Sequence, residues 1–69
     1  MIDIKQLTES DKGRWVYYTD SFDGSKQYGR LKSWNDKYVF VVYENLARDM
    51  NLFMHYTGVA TDPNDLTFV

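Results

Sequence analysis

The chain has no cysteine, and only one proline, one histidine and four glycines among its 69 residues. Without cysteine it can form no disulfide and offers no thiolate to a metal ion. Its longest apolar run covers residues 38–43, far short of the roughly 20 residues that span a bilayer as a helix. Residues 1–5 lack the apolar stretch of a secretory signal. We therefore expect a cytoplasmic protein with no membrane segment.

A strong charge of either sign is also missing, because eight Lys and Arg residues stand against ten Asp and Glu residues, a net charge of −2. This balance has the wrong sign for a dedicated nucleic-acid binder. A chain of this length allows a single domain, residues 1–69, whose thin core removes only about 60% of the unfolded surface from water. Aromatic residues make up 17% of the chain, so we expect the packing of large rings to stabilise it.

The side chains that catalytic and metal sites require are too few or too scattered. The single histidine, His55, has no nucleophile and carboxylate at a recognisable spacing. His55, Asp62 and Asp65 do not reproduce a known metal-ligand spacing. The widely separated glycines form no phosphate-binding loop. We therefore expect no enzyme activity, no cofactor and no metal.

The residues that are abundant favour β-structure. Runs of aromatic and β-branched side chains predict five strands, at residues 14–19, 28–34, 38–43, 54–60 and 66–69. Turn residues at positions 20–25 predict a long loop between the first and second strands. Asn35 and Asp36 tolerate left-handed backbone, so they predict a tight hairpin between the second and third.

Two short helical segments are expected between the strands. Leu46 and Met50 recur at near-helical spacing, which predicts one or two helical turns within residues 44–52. Pro63 fits the first position of a helix, because its missing N–H would have no partner there. A one-turn helix is therefore expected at residues 62–65.

This order of elements predicts an all-β fold, a small five-stranded antiparallel SH3-like barrel whose closure leaves few exposed strand edges. Three segments also resemble a known group of proteins: GRWVYY at residues 13–18, GRLKSWNDKYVFVVY at residues 29–43 and ATDPNDL at residues 60–66. They resemble small uncharacterised proteins of tailed phages and prophages, which look like SH3-like barrels of the KOW and Tudor type. The resemblance implies the fold and a phage or prophage origin. It implies no site residues, because such barrels bind proteins, nucleic acids and modified peptides alike.

The second strand has two faces of different character. Side chains alternate between the faces of a strand, so Arg30 and Lys32 share one face and Leu31 lies on the other. Burying the two cations unpaired would be costly. We therefore expect Leu31 to point inward and the cations to point outward.

The hairpin loop decides which side chains of the third strand join that outer face. If residues 35–37 form a three-residue loop, Leu31 lies opposite Val41 and Lys32 lies opposite Phe40. A two-residue loop would bury Phe40 instead. We favour the three-residue loop, because it gathers the β-branched residues inside. The outer face then mixes cations with aromatic rings: Tyr28, Arg30, Lys32, Trp34, Tyr38, Phe40 and Val42.

This outer face has two interpretations. Lysine and arginine stems that lie over rings are common cross-strand packing. Exposed aromatic side chains beside arginine are also typical of the centre of a protein interface. A second candidate groups Tyr17, Tyr18, Phe22 and Tyr56 around the long first loop, as a peptide groove or a cage for a methylated cation. These tyrosines can equally be core residues with hydroxyls at the rim.

The sequence therefore predicts a non-catalytic binding module that docks on a host or phage protein complex. The predicted binding residues are aromatic or basic: Tyr28, Arg30, Lys32, Trp34, Tyr38, Phe40, Tyr17 and Tyr18. A first alternative is single-stranded nucleic acid, bound by Arg and Lys with aromatic stacking, although the negative net charge weakens the phosphate contribution. A second alternative is a homo-oligomeric structural or assembly protein.

Overall fold

The computed structural model describes the backbone of all 69 residues and the side chains of all but residues 45 and 46. The described chain is mostly strand, arranged as β1 Trp15–Thr19, β2 Lys26–Trp34, β3 Val39–Tyr43, β4 Val59–Thr61 and β5 Leu66–Phe68. Two short helices, α1 Asn45–Arg48 and α2 Met50–His55, lie between β3 and β4. Single 3-10 turns occur at Ile4–Gln6, Glu9–Asp11 and Pro63–Asp65. None of the described helices is long and apolar enough to cross a membrane.

The five strands form one antiparallel sheet in the order β4-β3-β2-β1-β5. The all-β prediction is confirmed, but the predicted closed barrel is wrong, since no ladder joins β4 to β5 in the described chain. Residues 62–65 alone connect these two edge strands and are coiled into a 3-10 turn, so the facing ends lie well within the roughly 19 Å that separates the edges of a flat five-stranded sheet. The sheet therefore curls strongly without closing. The predicted turn of helix is present, with Pro63 in its first turn and the Asp62 carboxylate accepting the N–H of Asn64.

The sheet is covered on both faces. The concave face holds the main core, a buried cluster of Ile2, Val16, Leu31, Val39, Val41 and Leu66. The opposite, convex face holds a smaller cluster of Val42, Ala47 and Phe53, against which Trp15 packs. Ala47 belongs to α1 and Phe53 to α2, so the helical segment covers the β3 side of the convex face. Among the described side chains, Trp15 is the residue of β1 that packs against this cluster.

The β2–β3 hairpin contains a β-bulge. Leu31 lies opposite Val41, as predicted, but the register shifts so that Trp34 lies opposite Val39. The shift falls at Lys32, which has no paired residue on β3. One extra residue reverses the facing of every later side chain in the strand. The expectation that Trp34 lies on the outer face with Arg30 is therefore wrong, because Trp34 packs against the main core.

The chain after β3 is more helical than predicted. The expected fourth strand at residues 54–60 is wrong in its first half, because α2 continues through His55 and β4 spans only Val59–Thr61. Burial of Phe53 against Val42 holds α2 on the sheet. The Lys32 ammonium also donates to the carbonyl oxygen of Phe53 at 3.0 Å and to that of the next residue at 3.2 Å. These contacts with residues distant in the chain stabilise α2 as far as His55.

Gly29 lies where the two halves of β2 meet. Residues 26–30 of β2 pair with β1, and residues 29–34 pair with β3. A Cβ on Gly29 would lie 2.6 Å from the carbonyl oxygen of Val42 and 2.7 Å from Cγ1 of Val41. A glycine is therefore required here so that the backbone of β3 can approach.

We expect Gly29→Ala to lower the free energy of unfolding by about 3 kcal/mol or more, because the backbone of β3 must move to admit the methyl group. Gly24→Ala is the control: Gly24 has a φ of 76° with nothing within 4 Å of its added Cβ. There only the left-handed backbone is penalised, at about 1–2 kcal/mol. Urea denaturation measures both changes, and equal losses would contradict the steric role of Gly29.

The turn before β1 is held by the Asp11 carboxylate. Asp11 accepts the N–H of Thr8 at 2.9 Å and a guanidinium N–H of Arg14 at 3.0 Å. The bond from the Thr8 backbone, followed by the bond from Arg14, lowers the pKa of Asp11 below its ordinary value of 3.8. Arg14 also lies 3.8 Å from the ring centroid of Phe68. Asp11 therefore helps to fix the N-terminal segment against β5.

We expect Asp11→Asn to lower the Tm at neutral pH, with the difference from the wild type shrinking in acid. A carboxyl group whose pKa is depressed in the folded state stabilises the fold above its unfolded pKa, and this stabilisation is lost as the pH falls through the folded pKa. Thermal unfolding as a function of pH measures the effect. Asp36→Asn, which removes the same charge from the hairpin turn, is the control. A Tm difference for Asp11→Asn that does not change with pH would refute the explanation.

Candidate binding surface

The open part of the convex face carries cations and aromatic rings in adjacent columns. Trp15 lies opposite Arg30, Tyr17 opposite Tyr28, and the last residue of β1 opposite Lys26. Paired residues of antiparallel strands point to the same side of the sheet. Trp15 and Tyr17 therefore form one column, and Lys26, Tyr28 and Arg30 form the column beside it.

Each ring of these columns contacts a cation or another ring. The Lys26 ammonium lies 4.9 Å from the ring centroid of Tyr17, and the Arg30 guanidinium lies 4.8 Å from the ring of Trp15. The ring centroids of Tyr17 and Tyr28 are 5.7 Å apart, with a tilt of 53° between the ring planes. Tyr28 is 51% exposed. The two tyrosines therefore present a fixed ring pair at the surface.

A cleft of about 350 Å³ opens beside this ring pair, lined by Trp15, Tyr28, Glu44 and Arg48. Glu44 has a φ of 60°, which is rare for a residue other than glycine. Its N–H donates to the carbonyl oxygen of Tyr28 at 2.9 Å, so the turn from β3 to α1 is fixed against β2. We name the cation–aromatic face by its six residues: Trp15, Tyr17, Lys26, Tyr28, Arg30 and Arg48.

No ion pair between described side chains neutralises the cations of this face. Among the described side chains, the ion pairs are Lys12–Glu9 and Arg14–Asp11, and neither belongs to the face. The described part of the face and its cleft holds three cations and a single carboxylate, Glu44. The whole chain has a net charge of −2. Positive charge is therefore concentrated on this surface against the overall balance.

The structure brings together part of the predicted site. Tyr17, Tyr28 and Arg30 share the cation–aromatic face. Tyr38 is exposed, but it lies in the hairpin turn, beyond the end of β2. Phe40 is half-buried, opposite residue 33 on one side and residue 60 on the other. The predicted patch is therefore not one continuous surface.

Two predicted site residues lie on the other side of the sheet. Trp34 and Tyr18 both pack against the main core. The Tyr18 ring meets the Tyr43 ring edge-on, with 6.5 Å between centroids. Because Tyr17 and Tyr18 are consecutive in β1, they point to opposite faces. The expected grouping of Tyr17, Tyr18, Phe22 and Tyr56 therefore does not form one groove, and Phe22 is 98% exposed in the first loop.

Three residues of the face were not predicted: Trp15, Lys26 and Arg48. Strand alternation places Trp15 beside Tyr17, so that pairing was readable from the sequence. The register between β1 and β2 was not, because the loop at residues 20–25 does not fix it. Lys26 precedes the predicted start of the second strand, and Arg48 lies in the helical segment.

Other concave regions lie away from this face. A groove of about 760 Å³ runs between the N-terminal segment, the hairpin and the last 3-10 turn, lined in part by Ile4, Trp34 and Pro63. A smaller cleft lies beside Tyr18 and Tyr43. Burial raises the pKa of Tyr18 above 10.0, as do nearby carboxylates, Asp20 first among them. Burial also raises the pKa of Tyr43. Both phenols therefore stay protonated at neutral pH.

Comparison with known proteins identifies no relative. No protein-family model matches the chain, and no curated protein sequence or solved structure is significantly similar to it. Within the described residues, no three His, Asp or Glu side chains come together as a metal site would require. The function is therefore argued from the surface itself, its charges and its exposed rings.

The predicted site residue Lys32 has an internal role that can be measured. Its ammonium donates to two carbonyl oxygens at the end of α2 and lies 4.7 Å from the ring centroid of Phe53. We expect Lys32→Met to lower the free energy of unfolding by about 1–2 kcal/mol, because both carbonyls lose a charged donor. Lys37→Met, which removes the same charge from the exposed hairpin turn, should change it by less than about 0.5 kcal/mol. Equal losses in urea denaturation would contradict this role for Lys32.

Proposed function

We propose that this chain is a non-catalytic protein-binding module whose docking surface is the cation–aromatic face. The observation that carries the proposal is the surface ring pair of Tyr17 and Tyr28, flanked by Lys26 and Arg30. Tyrosine, tryptophan and arginine are enriched at the centres of protein interfaces. Rings already held by cross-strand neighbours lose little conformational freedom when a partner binds.

We also propose an SH3-like fold and a phage or prophage origin for the chain. The strand order, together with the 3-10 turn between β4 and β5, supports an SH3-like arrangement in which the barrel stays open. The resemblance of residues 13–18, 29–43 and 60–66 to phage and prophage proteins supports a phage or prophage origin. On that basis the partner belongs to a host or phage protein complex in the bacterial cytoplasm.

Single-stranded nucleic acid is the second candidate, and the unneutralised cations of the face favour it. Bases need exposed ring faces on which to stack. Lys26 already lies over Tyr17 and Arg30 over Trp15, which leaves Tyr28 as the ring of the described face without a cation over it. The net charge of −2 also opposes binding to a polyanion. These observations favour a protein partner.

Self-association through this face is disfavoured by the same charges. A symmetric dimer brings one patch against its own copy. Lys26, Arg30 and Arg48 of one copy would then lie near the same cations of the other, which costs electrostatic energy. A partner of different surface chemistry fits the face better.

Site-specific photo-crosslinking tests the docking surface. Tyr28→p-benzoylphenylalanine places a photoreactive ring on the face, and Tyr56→p-benzoylphenylalanine is the control, at a tyrosine of similar exposure, 47% against 51%. After irradiation in a bacterial lysate, we expect position 28 to give a discrete protein adduct that position 56 does not give. Combining the position-28 probe with Arg30→Met should strongly reduce the adduct, because Arg30 belongs to the same surface.

The size and chemistry of the adduct separate the candidates. A product of twice the chain mass would indicate self-association, and a nuclease-sensitive product would indicate nucleic acid. Either result would overturn the proposal. Identical adducts at positions 28 and 56, or none at position 28, would also overturn it.

A further inference from the structure

Arg30 is the cation of the cation–aromatic face that carries a buried donor without an acceptor among the described residues. A guanidinium has five N–H donors. The structure gives it one side-chain hydrogen bond, from Nη1 to the sulfur of Met50 at 3.2 Å, and sulfur is a weak acceptor. Its Nε is buried and has no acceptor among the described residues, so a carboxylate from a partner would pair with the terminal Nη groups. A cation that is partly removed from water and unpaired is costly, so a carboxylate would gain more here than beside an exposed lysine.

The spacing of the face along β2 defines what a partner must present. Lys26, Tyr28 and Arg30 are alternate residues of one strand and share its face. With a rise of about 3.3 Å per residue, the Cα atoms of Lys26 and Arg30 are about 13 Å apart along the strand, with that of Tyr28 midway between them. An extended segment has the same repeat. It would meet these three side chains with its first, third and fifth residues.

We infer that the partner presents an extended acidic segment to this face, with one carboxylate at Arg30, a second at Lys26 and an apolar side chain at Tyr28. This inference rests on the proposed docking function and names the chemistry of its partner. Charge complementarity supports it, because the face concentrates cations in a chain of net charge −2. The arginine favours a carboxylate in particular, since a guanidinium and a carboxylate can form two parallel hydrogen bonds.

The Trp15 ring positions the guanidinium for this pairing. The ring centroid lies 4.8 Å from Arg30 Cζ, and the sulfur of Met50 lies 3.2 Å from Nη1, so the guanidinium is held between these two side chains. Contact with a ring face does not use up the hydrogen-bond donors of a guanidinium. The partner's carboxylate therefore meets an arginine whose orientation is already fixed, which reduces the entropy lost on binding.

Peptide titration followed by NMR tests the inference with defined probes. The first probe is a short peptide that contains Glu-Ser-Phe-Ser-Glu, and the matched probes contain Lys-Ser-Phe-Ser-Lys and the permuted Glu-Glu-Phe-Ser-Ser. We expect the first peptide to bind most tightly and to shift the Arg30 Nε–H and Trp15 indole signals. The permuted peptide should bind about tenfold more weakly, a difference of about 1.4 kcal/mol. The lysine peptide should produce no shifts at these signals.

A matched pair of variants tests the role of Arg30. Arg30→Met keeps a long apolar stem over Trp15, and we expect it to weaken binding of the first peptide about tenfold. Lys37→Met removes the same charge from the hairpin turn and should leave the affinity within about twofold, because that lysine lies off the face. The spectrum of each free variant shows whether its fold is retained. Equal weakening by the two variants would refute a specific pairing at Arg30.

Oligothymidylate is the remaining probe. If this oligonucleotide binds more tightly than the acidic peptide and shifts the same signals, the face binds nucleic acid and the inference of an acidic segment is refuted. If the acidic peptide does not bind but the protein crosslink at position 28 persists, only the inference of an acidic partner is refuted. Failure of both experiments would remove the docking function as well.

Discussion

The β-bulge at Lys32 is the feature on which the two-sided packing of this sheet depends. Leu31 and Trp34 are three residues apart, so strict alternation would place them on opposite faces. The extra residue brings both to the concave side, opposite Val41 and Val39. Lys32, released from pairing, reaches across the convex side to the end of α2. One irregularity therefore completes the main core and fixes the helical segment that covers the other face.

The helical segment divides the convex face into a covered half and an open half. Phe53 and Ala47 cover Val42 on β3, and Trp15 packs at the margin of that cluster. Arg30 lies at the same margin, between the Trp15 ring and the Met50 sulfur. The burial of its Nε, which has no acceptor among the described residues, follows from this position. The chemistry of the open half is thus set by where the helices end, although its residues come from β1 and β2.

The local sequence was enough to locate the strands and turns, but it did not predict the features that depend on contacts between residues distant in the chain. The aromatic and β-branched runs located the strands, and Leu31 was correctly placed opposite Val41. The bulge leaves no local signal, and it reversed the predicted facing of Trp34. The extension of α2 through His55 depends on Lys32, more than twenty residues earlier. In the site, strand alternation alone predicted that Tyr28 and Arg30 share a face. The contact between Arg30 and Trp15 could not be predicted, because it depends on the register between β1 and β2.

The open sheet has a consequence for how copies of this chain meet at high concentration. Unpaired peptide groups along a strand edge are templates for another chain, and proteins limit this hazard by keeping such edges short. Here β4 and β5, the two outermost strands, have three residues each. Segments that stack into amyloid ladders need about six or seven residues. Neither edge strand is that long, so the open sheet leaves the fold little exposed to fibre growth through its backbone.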